Sequence, residues 1–404
     1  MDEITRRVQA LYRRLPYPNS GGWQLRADSF PDWLLAQVDR EPYPRKVRLL
    51  DLGCGTGAAL VPIAAMHPEA EVVGLDLSEA SLEIAGQNGA NLQNLTLLQG
   101  DLLDEASVEA LLALAPGGFD VIWCSGVLHH LSDPDRGLSH LRRLLAPDGV
   151  LSLMVYAHFG RLPVARLARA VQLIAGAEAP FEAREALTRD LLTALEGGSL
   201  TRPPWDDGLR VPPAELADRY LHPWARSYRV EELLSSLESH GLHMLRWLEP
   251  RAWSPAATLG PGPAAEALDA LPPRARWTAL EQLLDHPGLE LLVTHGDRAE
   301  RPALNPQAHP ELLLDWNPQA AVRVAERRLS TGRFPERVEA RLRAGPYVEL
   351  RGLDALIAQT IQGPTPAQTL VQEALARLPI QEDEAWATLT RLMQEEWIFA
   401  PSEP

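Results

Sequence analysis

With 404 residues, 46% of them hydrophobic and 23% charged, the chain is long enough for two or three globular domains and unlike a disordered polymer. Its formal net charge of −16 sets the surface as a whole against nucleic acid, whose phosphates are gripped by Lys and Arg, and Lys46 is the only lysine. Two cysteines, Cys54 and Cys124, exclude a disulfide framework and a cysteine metal site, so both read as reduced thiols. The start Met1-Asp2-Glu3-Ile4 lacks the apolar core of a secretory signal, and no apolar run approaches the roughly 20 residues that span a bilayer, so a cytoplasmic protein without membrane contact is expected.

The first 46 residues read as an amino-terminal helical or cap segment. Residues 47–53 then form a buried strand running into a glycine turn, and Ala58–Met66 a helix. The alternation continues with a strand at Glu71–Leu77, a helix at Ser81–Asn88, a strand at Leu95–Gln99, a helix at Val108–Leu114, a strand at Phe119–Cys124, a helix at Arg136–Leu145 and a strand at Val150–Tyr156. Strands spaced by helices of this length predict a doubly wound α/β fold, a parallel sheet covered on both faces.

Beyond Tyr156 the rhythm breaks. Helical patterns at Pro163–Ile174 and Arg184–Leu195, then loops around Pro203–Trp205 and Pro212–Pro213, read as a helical cap inserted at 157–228. A helix at Arg229–His240, strands at His243–Glu249 and Leu289–His295, and a Pro- and Ala-rich excursion between those strands complete a domain spanning 47–298. After a linker at Arg298–Pro310, helices at Leu353–Ile361, Pro366–Leu375 and Glu384–Glu395 followed by an apolar strand at Trp397-Ile398-Phe399 resemble a winged helix, so 311–404 is expected to be a small, mainly helical domain. Residues 335–404 carry six Arg and no Lys against eleven acids, the wrong sign for DNA, and a module for self-association as a homodimer or for a protein partner is expected instead.

Chemistry concentrates at the first turn. Gly53, Gly55 and Gly57 allow positive φ and close ligand approach, and Asp76 ends the next strand, 21 positions past Gly55, where a carboxylate can accept both hydrogen bonds of a ribose diol. The loop alone also satisfies the loose G-x-G-x-x-A dinucleotide form and leaves NAD open. Three features decide against it: Asp51 two residues before the first glycine, Asp101 after the third strand, and the run from Cys124 through His129-His130 to Asp133-Pro134 and Leu145-Ala146-Pro147-Asp148-Gly149.

The ordered set DLGCGTG, GLDLS, QGDLLD, FDVIWCSGVLHHLSDP and LRRLLAPDGVL resembles class I S-adenosylmethionine-dependent methyltransferases, closely over 47–156 and more weakly to about 296. The resemblance implies a seven-stranded Rossmann-like sheet with S-adenosyl-L-methionine across its carboxyl edge and S-adenosyl-L-homocysteine as product. It implies Gly53, Gly55 and Gly57 beside the methionine part, Asp51 ordering that loop and the amino group, Asp76 and Leu77 at the ribose, Asp101 and Leu102 at the adenine, and Ser125 beside the cofactor. Tyr12-Arg13-Arg14-Leu15-Pro16-Tyr17-Pro18, with Tyr156-Ala157-His158 and Ser227-Tyr228-Arg229, is similar to a bacterial subset with a Tyr-x-x-x-Pro-Tyr-Pro opening, some of whose members act on proteins. Bacterial protein-lysine methyltransferases with a carboxyl-terminal regulatory domain are a related comparison, but their additional motifs are not found in this chain.

Methyl transfer from a sulfonium is an in-line displacement that needs positioning and dryness more than a protein nucleophile. For an acceptor that carries a proton, His129, His130 and His158 are the candidate bases, with Tyr17 and Tyr156 as orienting hydroxyls. Trp205, Trp224 and Tyr228 could line an aromatic acceptor pocket, and no spacing that binds a metal is present. The expected activity is methylation of a peptide, a protein or a small metabolite. The alternative is a cofactor-binding scaffold whose carboxyl-terminal domain recruits a partner.

Overall fold

The computed structural model describes residues 1–18, 47–176, 179–198, 211–296, 305–317, 320–324, 337–342, 348–394 and 397–399. Residues 19–46 of the amino-terminal segment and the loop containing Trp205 lie outside the described residues. The chain divides into two compact units, one holding the described residues up to Gly296, the other those beyond Asp297 together with Glu249–Arg251.

In the first unit β1 (Arg48–Leu52), β2 (Glu71–Asp76), β3 (Leu95–Gln99), β4 (Phe119–Ser125), β5 (Leu145–Tyr156), β6 (Leu242–Trp247) and β7 (Gly288–His295) form one sheet in the order β3-β2-β1-β4-β5-β7-β6. All neighbours are parallel except β7, which runs antiparallel to both β5 and β6. The order reverses between β1 and β4, so a crevice opens at their carboxyl ends, the usual ligand position in open α/β sheets. β1 is apolar at Leu49, Leu50 and Leu52 because it is covered on both faces, and burying each side chain contributes about 1.5–3 kcal/mol.

Helices α2 (Leu60–Met66), α3 (Glu79–Asn88), α4 (Glu105–Leu114) and α5 (Pro134–Leu144) make the crossovers. Ser78 caps α3 through the Ser81 amide, and Asp133 caps α5 through the Arg136 amide with Pro134 at its start. An amino-terminal helix, α1 (Glu3–Arg14), is capped by Asp2, and the cap insertion comprises α6 (His158–Ala175), α7 (Phe181–Gly198) and α8 (Pro213–Tyr220). The cap has an apolar core of its own, built on Leu167, Val171, Leu192, Leu216 and Tyr220.

The fold follows the sequence reading with local differences. β5 begins at Leu145, directly after α5, rather than at Val150. The stretch around Pro212–Pro213, read as loop, starts α8. The excursion after β6 contains α10 (Pro255–Leu259), α11 (Pro263–Asp269) and α12 (Pro273–Leu280), following α9 (Val230–Ser239). Each helix that was not expected has proline in its first turn, where the missing N–H costs nothing and φ is already helical.

The second unit has its own core around Leu314, Trp316, Leu356, Leu370, Leu389 and Trp397. Its helices α13 (Gly352–Thr360), α14 (Ala367–Arg377) and α15 (Glu382–Gln394) are those expected. The apolar strand expected at Trp397–Phe399 is β13 (Ile398–Phe399), which pairs with β8 (Leu313–Trp316); β8 and its other partner β12 (Thr365–Pro366) were not expected, nor were β9 (Ala320–Val324), β10 (Arg337–Leu342) and β11 (Val348–Arg351), which form a second small sheet. Among the described residues no helix is long and apolar enough to cross a membrane.

Candidate active site

The turn after β1 is held by its neighbours before any ligand is considered. The Gly53 and Cys54 amides donate to the Leu75 carbonyl at 2.8 and 3.1 Å, and the Gly55 amide donates to Asp76 Oδ2 at 2.8 Å. Gly55 has φ of 54°, and a Cβ there would lie 2.2 Å from the Tyr17 carbonyl oxygen, so the amino-terminal segment packs directly on the loop. Thr56 completes that seam, its amide donating to Tyr17 O at 3.2 Å and its hydroxyl to Pro18 O at 2.7 Å. The expectation of bare main chain facing a ligand is therefore modified: part of what the glycines make room for is the chain itself. Gly53 and Gly57 share the left-handed backbone.

Three carboxylates lie along the carboxyl edge of the sheet, Asp51 in β1, Asp76 at the end of β2 and Asp101 just after β3. Asp76 accepts from the Gly55 and Ser78 amides, one bond per oxygen, leaving a lone pair on each; burial pushes its carboxyl up while the two amides oppose that. Asp101 accepts from the Leu103 amide at 2.8 Å, and its carboxyl too is pushed up by burial. Asp51 is the outlier. It is buried, no donor among the described residues reaches its carboxylate, and burial followed by the charge of Asp76 pushes it up to about 8. A buried carboxylate without a partner is costly unless a cation or donor meets it.

The other residues expected around the cofactor lie at the same edge. Leu77 offers its carbonyl to Gln9 Nε2 at 3.0 Å, Leu102 is buried and its carbonyl takes the His140 Nδ1 proton at 2.7 Å, and Ser125 ends β4 opposite Met154. Cys54 and Cys124 are buried thiols, held protonated by burial, which pushes Cys124 up to about 12.

A second cluster joins the amino-terminal segment to the cap. Ser78 Oγ donates to the Tyr12 carbonyl at 3.0 Å, fixing α1 beside β2, and the Tyr12 hydroxyl crosses to α8, donating to Asp218 Oδ1 at 2.6 Å. Tyr156, at the end of β5, donates to Asp218 Oδ2 at 3.1 Å, and Tyr17 donates to Glu215 Oε2 at 3.4 Å. Burial and the Asp218 charge hold all three phenols well above their ordinary value, so they stay donors.

The histidines differ in what they can do. His129 is fully buried, stacks on Tyr156 with centroids 3.8 Å apart, and accepts the Tyr156 amide on Nδ1 at 3.3 Å; its proton therefore sits on Nε2, which has no partner among the described residues. His130 Nδ1 lies 2.9 Å from the Trp224 carbonyl, which can only accept, so its lone pair is on Nε2. His130 also stacks on His222 at 3.6 Å. Burial lowers all three, so they are neutral at neutral pH. His158 is not brought into this cluster: its Nδ1 is 3.3 Å from Ser227 Oγ and its ring meets Phe159 edge-on. Tyr228 lies in the apolar core rather than in a pocket, and Trp224 donates to the Leu131 carbonyl at 3.2 Å.

Sequence reasoning missed Asp218, Tyr12 and His222 as parts of this cluster. The i, i+3 pair Glu215/Asp218, with Arg219 forking onto Glu215, becomes legible only once α8 is recognised as a helix. Beside the cluster, under the cap, lies a cleft of about 260 Å³ that Tyr156 and His222 line.

A family model described as a methyltransferase domain matches residues 50–151. The chain is 31% identical to an uncharacterised protein of Synechococcus sp. over 273 residues, 64% of each chain. It is 36% identical to the trans-aconitate 2-methyltransferase of Deinococcus radiodurans over 125 residues, 31% of this chain and 43% of that one. The matches thus span under two thirds of the first relative and less than half of the second. Among solved structures, PKMT2 from Rickettsia typhi in complex with AdoHcy shares the fold with a TM-score of 0.69 at 18% identity, covering 94% of this chain and 76% of that one.

Proposed function

We propose, from the premise that this chain belongs to the class I S-adenosylmethionine-dependent methyltransferases, that it methylates a small acceptor held between the amino-terminal tyrosines and the helical cap. The observation that carries the reading is the buried Asp51 carboxylate, which no donor among the described residues reaches, close to Asp76 and on the same sheet edge as Asp101, a set of acids suited to a cationic ligand rich in donors. When bound, S-adenosylmethionine supplies a methyl on a sulfonium; in-line displacement by an acceptor lone pair breaks the S–CH3 bond, forms the new bond and leaves neutral S-adenosylhomocysteine.

The residues divide that work. Asp51 meets the ammonium, Asp76 uses its two remaining lone pairs on the ribose diol, and Asp101 accepts from the adenine amine. Tyr12 and Tyr156, pinned by Asp218, and Tyr17, donating to Glu215, form an aromatic wall beside the cap whose hydroxyl oxygens keep a lone pair for an acceptor's donors, and His130 Nε2 takes the proton of an acceptor that must lose one. The cleft under α6–α8 suits a metabolite more than a folded peptide. We assign 47–298 as the methyltransferase domain with its cap at 157–228, and 311–404, with its separate core, as a module for contact with another protein or a second copy.

Calorimetry with S-adenosylhomocysteine tests the reading: one molecule binds per chain, and Asp76→Ala weakens it by about 1–3 kcal/mol, roughly 5- to 150-fold, through two lost hydrogen bonds. No heat of binding with the unaltered protein sinks the assignment.

The pH dependence of the same titration isolates Asp51. Its folded value is raised, so the stability it lends the free protein is complete below its unfolded value near 4 and is lost as pH rises through about 8. Binding an ammonium ionises it, so ligand uptake releases a proton and affinity climbs by up to about tenfold per pH unit from 6 to 8, then levels. Asp51→Asn flattens the profile; a flat profile in the unaltered protein contradicts the role.

A further inference from the structure

The cleft under the cap has a charge of its own. Arg161, Arg169, Arg184, Arg219 and Arg226 all line it, and no Asp or Glu is among its lining residues, in a chain whose net charge is −16. Three of these arginines are already occupied. Arg219 forks onto Glu215, Arg226 pairs with Glu232 over the Tyr228 ring, and Arg169 donates to Gln172 Oε1 at 3.1 Å.

The other two are different. Arg184 makes no ion pair among the described residues, and its Nε is buried without a hydrogen-bond partner. Arg161 also has no carboxylate partner among them; its guanidinium lies 3.7 Å above the Tyr156 ring centroid, an arrangement that engages its face and leaves the N–H groups at its edge for an in-plane acceptor. The nearby Asp218 accepts from the Tyr12 and Tyr156 hydroxyls and forms no ion pair with either guanidinium among the described residues. Two unpaired guanidinium groups facing one small cavity, one with a desolvated donor, match the two oxygens of a carboxylate or phosphate.

We propose that the methyl acceptor is a small molecule bearing an oxyanion, and that Arg184 and Arg161 hold that group while the rest of the molecule reaches toward Tyr156 and His222. This rests on the methyltransferase reading and adds the substrate class to it. The anion is held at the cap end of the cleft, so the arginines are positioning residues that set acceptor affinity without touching the cofactor carboxylates.

The test uses the full chain, with and without saturating S-adenosylhomocysteine, titrated with succinate, inorganic phosphate and neutral succinamide at constant ionic strength. Saturable binding of succinate or phosphate, no binding of succinamide, and a loss of at least tenfold in Arg184→Gln are expected, with S-adenosylhomocysteine affinity and the unfolding midpoint of the nucleoside-bound variant unchanged. Arg184→Lys, which keeps the charge and loses the fork, recovers part of the affinity. Whichever anion binds more tightly identifies a carboxylate or a phosphate. The proposal is overturned if neither anion binds better than chloride, or if binding survives both Arg184→Gln and Arg161→Gln. Failure of S-adenosylhomocysteine to bind, with oxyanion binding intact, instead overturns the methyltransferase reading beneath it.

Discussion

Gly55→Val leaves a protein that no longer binds S-adenosylhomocysteine measurably, a loss of more than about 100-fold, or roughly 3 kcal/mol. The residue sits at φ of 54°, where any side chain is strained by about 1–2 kcal/mol. The steric clash is more severe than that strain. The first side-chain carbon would lie 2.2 Å from the Tyr17 carbonyl oxygen, a backbone atom that no rotamer change can move aside. Relief requires the 17–18 segment to withdraw, which breaks its two bonds from Thr56, or the turn to rotate, which breaks the Gly55 amide from Asp76 and misdirects the carboxylate assigned to the ribose. Gly117→Ala is the control, because Gly117 has φ of 87° but nothing within 4 Å of the added carbon. It loses stability through backbone strain alone and keeps full ligand affinity. Calorimetry and thermal unfolding on both variants separate the two effects, and equal ligand affinity in the two contradicts the steric account.

The parts of this protein that sequence made legible are those where one residue type has one physical reason to be present. β1, β2 and β4 are largely buried and so read as apolar runs, the edge strand β3 is only partly buried, and each of the four ends in or leads into an acid or a small residue at the crevice. Helices opened by proline were harder, since the same residue marks a loop or a first helical turn, and α8, α10, α11 and α12 were lost to that ambiguity. β8 and β12 are four residues or fewer, too short to show an alternation. The acceptor side of the site was the least legible, because it is tertiary: Tyr12 meets Asp218 across 206 positions, and no local pattern ties them. The histidine pair was visible, but which nitrogen of each carries a proton followed only from the Tyr156 amide and the Trp224 carbonyl.

Asp218→Ala therefore tests what the sequence could not disclose. This carboxylate accepts the Tyr12 hydroxyl at 2.6 Å and the Tyr156 hydroxyl at 3.1 Å, and those phenols come from opposite ends of the fold, α1 and β5. Hydrogen bonds to a charged group contribute about 1.5–3 kcal/mol each, and removing the acceptor also strands two buried donors. Water entering the gap recovers part, so the expected destabilisation is about 2–5 kcal/mol, a midpoint lower by roughly 5–15 °C in a domain of this size. A double-mutant cycle with Tyr12→Phe and Tyr156→Phe assigns the loss. If Asp218 acts through these hydroxyls, its removal costs little once both are gone, and the coupling accounts for most of the single-variant effect. Asp218→Asn keeps one acceptor oxygen and presents an NH2 group to the other phenol, whose oxygen can accept, so it falls between the two. An alanine variant within about 0.5 kcal/mol of the unaltered protein means that the two tyrosines are held by packing alone, and the aromatic wall assigned to the acceptor then lacks its fixed point.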